Sequence, residues 1–138
     1  MRKVLLSLAL TAGLTAILWA ADYAAVASNK QIMAVVQKPA MDSLADMMKA
    51  GGPQDDEQWA KAATNAAILA ESTQLLHMGG RPKDTTVWPE NADKVIASAK
   101  DLVKAAEAKD TEGFKKAMGG TGSGCRGCHN LYKKKKQG

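Results

Sequence analysis

Apolar residues in this chain recur at helical spacing in four separate stretches, and no segment alternates convincingly at period two. That pattern leaves no material for a sheet and defines an all-α protein. The clearest stretch, over about residues 90–109, places Ala92, Val95, Ile96, Ala99, Leu102, Val103 and Ala106 on one face. The stretch at about 54–78 does the same with Trp59, Ala62, Ala66, Leu69, Thr73 and Leu76. It opens on Asp55, Asp56 and Glu57, which suit the free amides and positive end of a helix. Over about 28–50, Met33, Val36, Ala40, Leu44 and Met47 form a stripe that Ile32, Met41 and Met48 widen, and Pro39 is predicted to kink or briefly break it. The last stretch is capped by Asp110 or Thr111 and begins with Phe114 and Met118. Its glycine-rich segment "GGTGSG", residues 119–124, is predicted to break the helix, which resumes from about 122 to 136.

"GGPQDDE" and "GGRP" punctuate the first two joins, and Pro89 falls where the first turn of the third helix tolerates it. Four amphipathic helices with short links are most economically an antiparallel four-helix bundle. A chain of 138 residues suits one such domain. Large apolar side chains are scarce and alanines abundant, so the interior either lets helices approach closely or leaves room for a bulky insert.

The N-terminus has the order of a secretory signal. Arg2 and Lys3 precede an uncharged apolar run over residues 4–21, and small residues follow. Ala25 and Ala27 form an A-x-A site, so cleavage is expected after Ala27, with Ala20 as an alternative. The chain then divides into a signal peptide, residues 1–27, and a domain, residues 28–138, exported to the periplasm. An uncleaved anchor is the rival, because about eighteen apolar residues just span a bilayer. Membrane association is expected only in that case.

Formal charge is +5. The excess gathers near the C-terminus, at Arg126 and at Lys133, Lys134, Lys135 and Lys136, rather than along a groove. Aromatics for base stacking are few, so no nucleic-acid partner is implied.

The only two cysteines are Cys125 and Cys128, in "CRGCHNLYKKKK". A disulfide between them would close a very short loop and restrain little of the unfolded chain. On a helix, Cys125, Cys128 and His129 stand at i, i+3 and i+4 and project from one face. That arrangement suits c-type haem attachment, with two thiols adding to the vinyl groups and the adjacent imidazole reaching the iron. Three other readings compete. A thiol redox pair belongs after a strand in a βαβ setting, which this chain lacks. A zinc site needs a fourth ligand, for which His77 is the one remaining histidine. The two cysteines can also be incidental residues of a plain helical interaction module.

A C-terminal "CRGCH" in an exported four-helix chain resembles the class II c-type cytochromes, the family of cytochrome c′. The resemblance covers about residues 29–136, with weaker support from "NKQIM" and "AILAESTQLLHMGGRP". It implies one haem c per chain inside the bundle, bound covalently by Cys125 and Cys128 with His129 as proximal ligand. Many relatives carry Arg four residues after the histidine, where this chain has Lys133.

Relatives with an apolar residue opposite the histidine are five-coordinate and bind nitric oxide or carbon monoxide. Low-spin relatives place a methionine there from the first helix. "NKQIM" puts Met33 at that position, and a register shifted by one would put Ala34 there instead. Methionine at helical spacing otherwise fills cores, as Met41, Met47, Met48, Met78 and Met118 are expected to do. A thioether ligand raises the reduction potential and closes the site, so the expected role is single-electron transfer.

No base and nucleophile pair or phosphate-cradling loop is visible, so no enzymatic turnover is expected. The four lysines form a docking surface for an acidic redox partner. Related proteins often dimerise through their first two helices, and a homodimer is compatible with the resemblance. His77 is read as a polar residue near a helix C-terminus, and Trp59 and Trp88 as core packing.

Overall fold

The structure is a computed structural model that describes residues 24–133. Nearly all of the expected signal peptide, and Lys134, Lys135 and Lys136, lie outside the described residues. The described residues contain four helical rods and no strand. The first rod runs continuously through α1 (Asn29–Ile32), a π-helical turn (Met33–Gln37) and α2 (Lys38–Lys49). The second is α3 (Asp56–Gln74), extended by a 3-10 turn (Leu75–His77). The third and fourth are α4 (Val87–Glu107) and α5 (Thr111–Tyr132). Among the described residues no helix is long and apolar enough to cross a membrane.

Local chemistry sets the rod ends. Ser28 and Gln31 form a reciprocal capping box at the start of α1. Asp55 accepts from Gln58 N at 2.8 Å, and Asp110 accepts from Gly113 N at 3.0 Å, each removing one orphan amide. At the end of α2, Gly51 takes the left-handed conformation at φ +93, and Gly52 N donates back to Met47 O at 2.9 Å. This is the Schellman closure, for which glycine is the unstrained residue.

All six inward residues expected on the second rod are buried, as are Ala92, Val95, Ala99, Leu102 and Ala106 of α4. All but Thr73, Leu76 and Ala92 join Leu44, Met47, Phe114 and Met118 in one core cluster. Trp59 and Phe114 meet edge to face, with ring centroids 6.0 Å apart. α4 packs broadly against both α3 and α5, whereas α2 packs on α3 and touches α5 only sparsely.

Two expectations are revised by tertiary packing. The segment "GGTGSG" does not break the last helix, since α5 is uninterrupted from Thr111 to Tyr132. Gly120, Gly124 and Gly127 lie on one side of it, against Ser98, Val95 and Asn91 of α4. A Cβ on Gly124 would fall 2.7 Å from Val95 Cγ2 and 3.0 Å from the Asn91 carbonyl oxygen. Backbone approach on that side offsets the roughly 1 kcal/mol that each glycine costs in a helix interior.

The disturbance expected from Pro39 appears as a π turn rather than a break. Pro39 has no amide hydrogen, and in an α-helix its ring would crowd the carbonyl of Val35. The turn just before it widens instead, and Lys38 N–H donates to Met33 O, five residues back.

Candidate functional site

The antiparallel order brings the start of the first rod, the end of α3, the start of α4 and the end of α5 to one end of the bundle. A second apolar cluster forms there. Leu76, Trp88 and Cys128 are buried together, and Met33 and Tyr132 pack against them, partly buried. Residues distant in sequence, at positions 33 and 128, therefore share one cluster.

Hydrogen bonds fix this end. Trp88 Nε1 donates to Leu76 O at 3.0 Å, tying α4 to the 3-10 turn. Asp84 Oδ1 accepts from Thr86 N at 2.8 Å and Trp88 N at 3.1 Å, so this carboxylate caps α4. Those amides hold the Asp84 carboxyl below its usual pKa. Tyr132 Oη donates to the other oxygen of Asp84, and its ring lies 5.4 Å from that of Trp88. The last turn of α5 is thus anchored to the start of α4.

Arg81, also buried, donates from Nη1 to Leu75 O and from Nη2 to Ala27 O, both at 3.0 Å. Asn29 Nδ2 donates to Arg81 O at 3.0 Å. These bonds fasten the entry to α1 against the end of α3.

Cys125 and Cys128 are both free thiols, one helical turn apart on α5. Cys128 is buried, and Cys125 is half-buried against the main core. Burial is the leading cause that pushes both thiols above the ordinary cysteine value, which keeps them protonated. His129 is exposed at the edge of the same helix, on a side away from the glycines that meet α4. Partial burial of its ring, and secondarily the Lys133 ammonium, hold the imidazole below its usual pKa. It therefore stays neutral, the form with a free lone pair for a metal.

Helical backbone runs unbroken through the motif, so both thiols and the imidazole keep the i, i+3, i+4 placement that c-type attachment needs. The donor set fits a covalently held haem. It does not fit zinc: among the described residues no three His, Cys, Asp or Glu side chains gather as a metal cluster. His77 instead sits at the end of the second rod with Nε2 3.1 Å from Asp93 Oδ1.

The family model described as Cytochrome C' matches residues 24–133 of this chain. The chain belongs to the cytochrome c′ family. It is therefore a c-type haem cytochrome with a four-helix bundle fold, and membership implies a haem c cofactor. No curated protein and no solved structure matches.

Of the residues expected at the haem, Cys128 and Met33 share the cluster, and Cys125 and His129 flank it on α5. Ala34, the alternative to Met33, is exposed. Trp59 is core, as expected, and Trp88 proves to be both core and a wall of the site. Leu76, Tyr132 and Asp84 were not singled out as site residues. Tyr132 could have been, since it stands four residues after Cys128 on the same face. Asp84 gives no signal in the sequence. An open groove of about 610 Å³ between the far ends of α2 and α3, lined by Asp46, Asp55 and Lys61, contains neither cysteine.

Proposed function

We propose that this cytochrome is an exported, periplasmic single-electron carrier. Its one haem would be bound covalently by Cys125 and Cys128, with His129 and Met33 as axial ligands. The observation that carries this reading is that Met33 packs against the cluster of Leu76, Trp88 and Cys128, while Ala34 faces solvent. When bound, the haem supplies a reversible one-electron change of valence.

The chain's own residues do the rest. Cys125 and Cys128 fix the attachment to an unbroken helix, and His129 offers a neutral ring nitrogen. Leu76, Trp88 and Tyr132 supply apolar walls that lower the local dielectric, and Met33 offers a thioether that favours the reduced state. No substrate turnover is required of the protein. Exposed Lys133 begins the basic segment proposed to receive an acidic redox partner.

Replacing Met33 with Ala in holoprotein is expected to convert a low-spin spectrum to a high-spin one that responds to carbon monoxide after reduction. An unchanged spin state would remove Met33 from the ligand set. A second reading, a five-coordinate binder of nitric oxide or carbon monoxide, is favoured by the family to which the chain belongs. In that reading Met33 is packing, and the unmodified protein is itself high-spin and gas-responsive.

A further inference from the structure

We infer that the π turn at Met33–Gln37, held by Pro39, is what aims Met33 at the Cys128 cluster. Met33 is the ligand only if the axial reading above holds, but its aim can be tested separately.

Helix geometry alone would send Met33 elsewhere. Counted back from Leu44 at about 100° per residue, an unbroken α-helix puts Met33 within about 20° of Leu44 and Ile32 about 120° away. Met33 would then point into the middle of the core and Ile32 to its margin. Observed burial is the reverse. Ile32 is only 6% exposed, whereas Met33 is partly buried.

The π turn accounts for the exchange. Its bond from Lys38 N–H to Met33 O encloses one residue more than an α turn, so everything upstream is turned back by about 100°. Ile32 then lies about 20° from Leu44, and Met33 about 80° to the other side.

That side is opposite the one that carries Ser43. Ser43 stands about 100° from Leu44 in the opposite sense, and its hydroxyl accepts from Asn65 Nδ2 of α3 at 3.1 Å. Met33 is therefore carried out of the main core and onto the end cluster of Leu76, Trp88 and Cys128. Two features keep the turn wide. Pro39 cannot donate to Val35 O and its ring excludes that carbonyl, and Gln37 Nε2 donates to buried Thr73 Oγ1 at 3.1 Å.

The test uses haem-loaded protein with methyl-labelled methionine. It compares Pro39→Ala, Pro39→Ala combined with deletion of exposed Val35, and Met33→Ala. Two readouts are taken: spin state, and the magnetisation-transfer contact between the Met33 methyl and the Trp88 ring or haem. Pro39→Ala lets the turn tighten and is expected to reduce the methyl contact and the low-spin fraction several-fold. Combining Pro39→Ala with deletion of exposed Val35 removes both the proline and the extra residue, so a plain α-helix keeps the upstream orientation, and both readouts are expected to match those of the unmodified protein.

The inference is overturned if Pro39→Ala leaves the contact intact, or if the combined Pro39→Ala and Val35 deletion lacks it in a protein whose far-ultraviolet circular dichroism remains native. If Met33→Ala leaves the spin state unaltered while Pro39→Ala still removes the contact, the axial-ligand reading falls and the aiming role stands.

Discussion

The two sides of the last helix are built differently. Toward α4, Gly120, Gly124 and Gly127 let the backbones meet, and the packing has no slack: a single added methyl at Gly124 collides with side chain and main chain. Toward the first rod, contact with α5 is sparse, Met33 and Cys125 are only partly buried, His129 is exposed, and the rod itself is unwound by a π turn. The close side holds the motif-bearing helix rigid. The looser side is the less buried one, which suits the proposal that this helix carries a bulky group on one flank.

The sharpest way to break this contrast is to remove both anchors. Cys125→Ala with Cys128→Ala is expected to abolish covalent haem, seen as loss of the added mass in intact-protein spectrometry. Amide exchange protection should then fall through the first rod and persist in α4 and α5. Uniform loss of protection would mean that the two sides are not independent.

Gly124→Ala comes next. Overpacking against Val95 and Asn91 is expected to cost about 1–3 kcal/mol in denaturant unfolding. Gly119→Ala, on the same helix but with open space around its Cβ, should instead gain about 0.5–1 kcal/mol, because only the unfolded chain loses freedom. Equal effects at the two positions would refute the close approach as the reason for the glycines.

The smallest effect expected is on pH. Asp84 has a folded-state pKa below its unfolded value, so its stabilisation is complete above the unfolded value and is lost as pH falls through the folded one. Asp84→Asn should flatten that acid limb of the stability curve without moving the neutral region by a comparable amount. An unchanged limb would show that the tie between Tyr132 and the start of α4 does not depend on the carboxylate charge.

Much of the fold and the attachment motif was legible in the sequence. The inward faces of α3 and α4 follow from 3.6-residue periodicity, and the caps at Asp55 and Asp110 from short-range hydrogen-bond chemistry. Cys125, Cys128 and His129 stand out because their shared placement is set by spacing along one helix. All of these are local properties, set within a few turns of chain.

What tertiary structure decided involves partners far away in sequence. The glycines of 119–124 read as a break because intrinsic propensity counts only the backbone entropy they cost. Their compensation is contact with Asn91, Val95 and Ser98, which no local window contains. Asp84 reaches Tyr132, and Trp88 reaches Leu76, through the bundle's closure. Met33 lay in the expected stripe, yet its direction depends on one extra residue in a turn, and a shift of about 100° separates a filler of the main core from a residue of the end cluster. Sequence thus determined which residues belong to helices and which could hold the cofactor, because those are short-range constraints. Packing alone decided which of them meet.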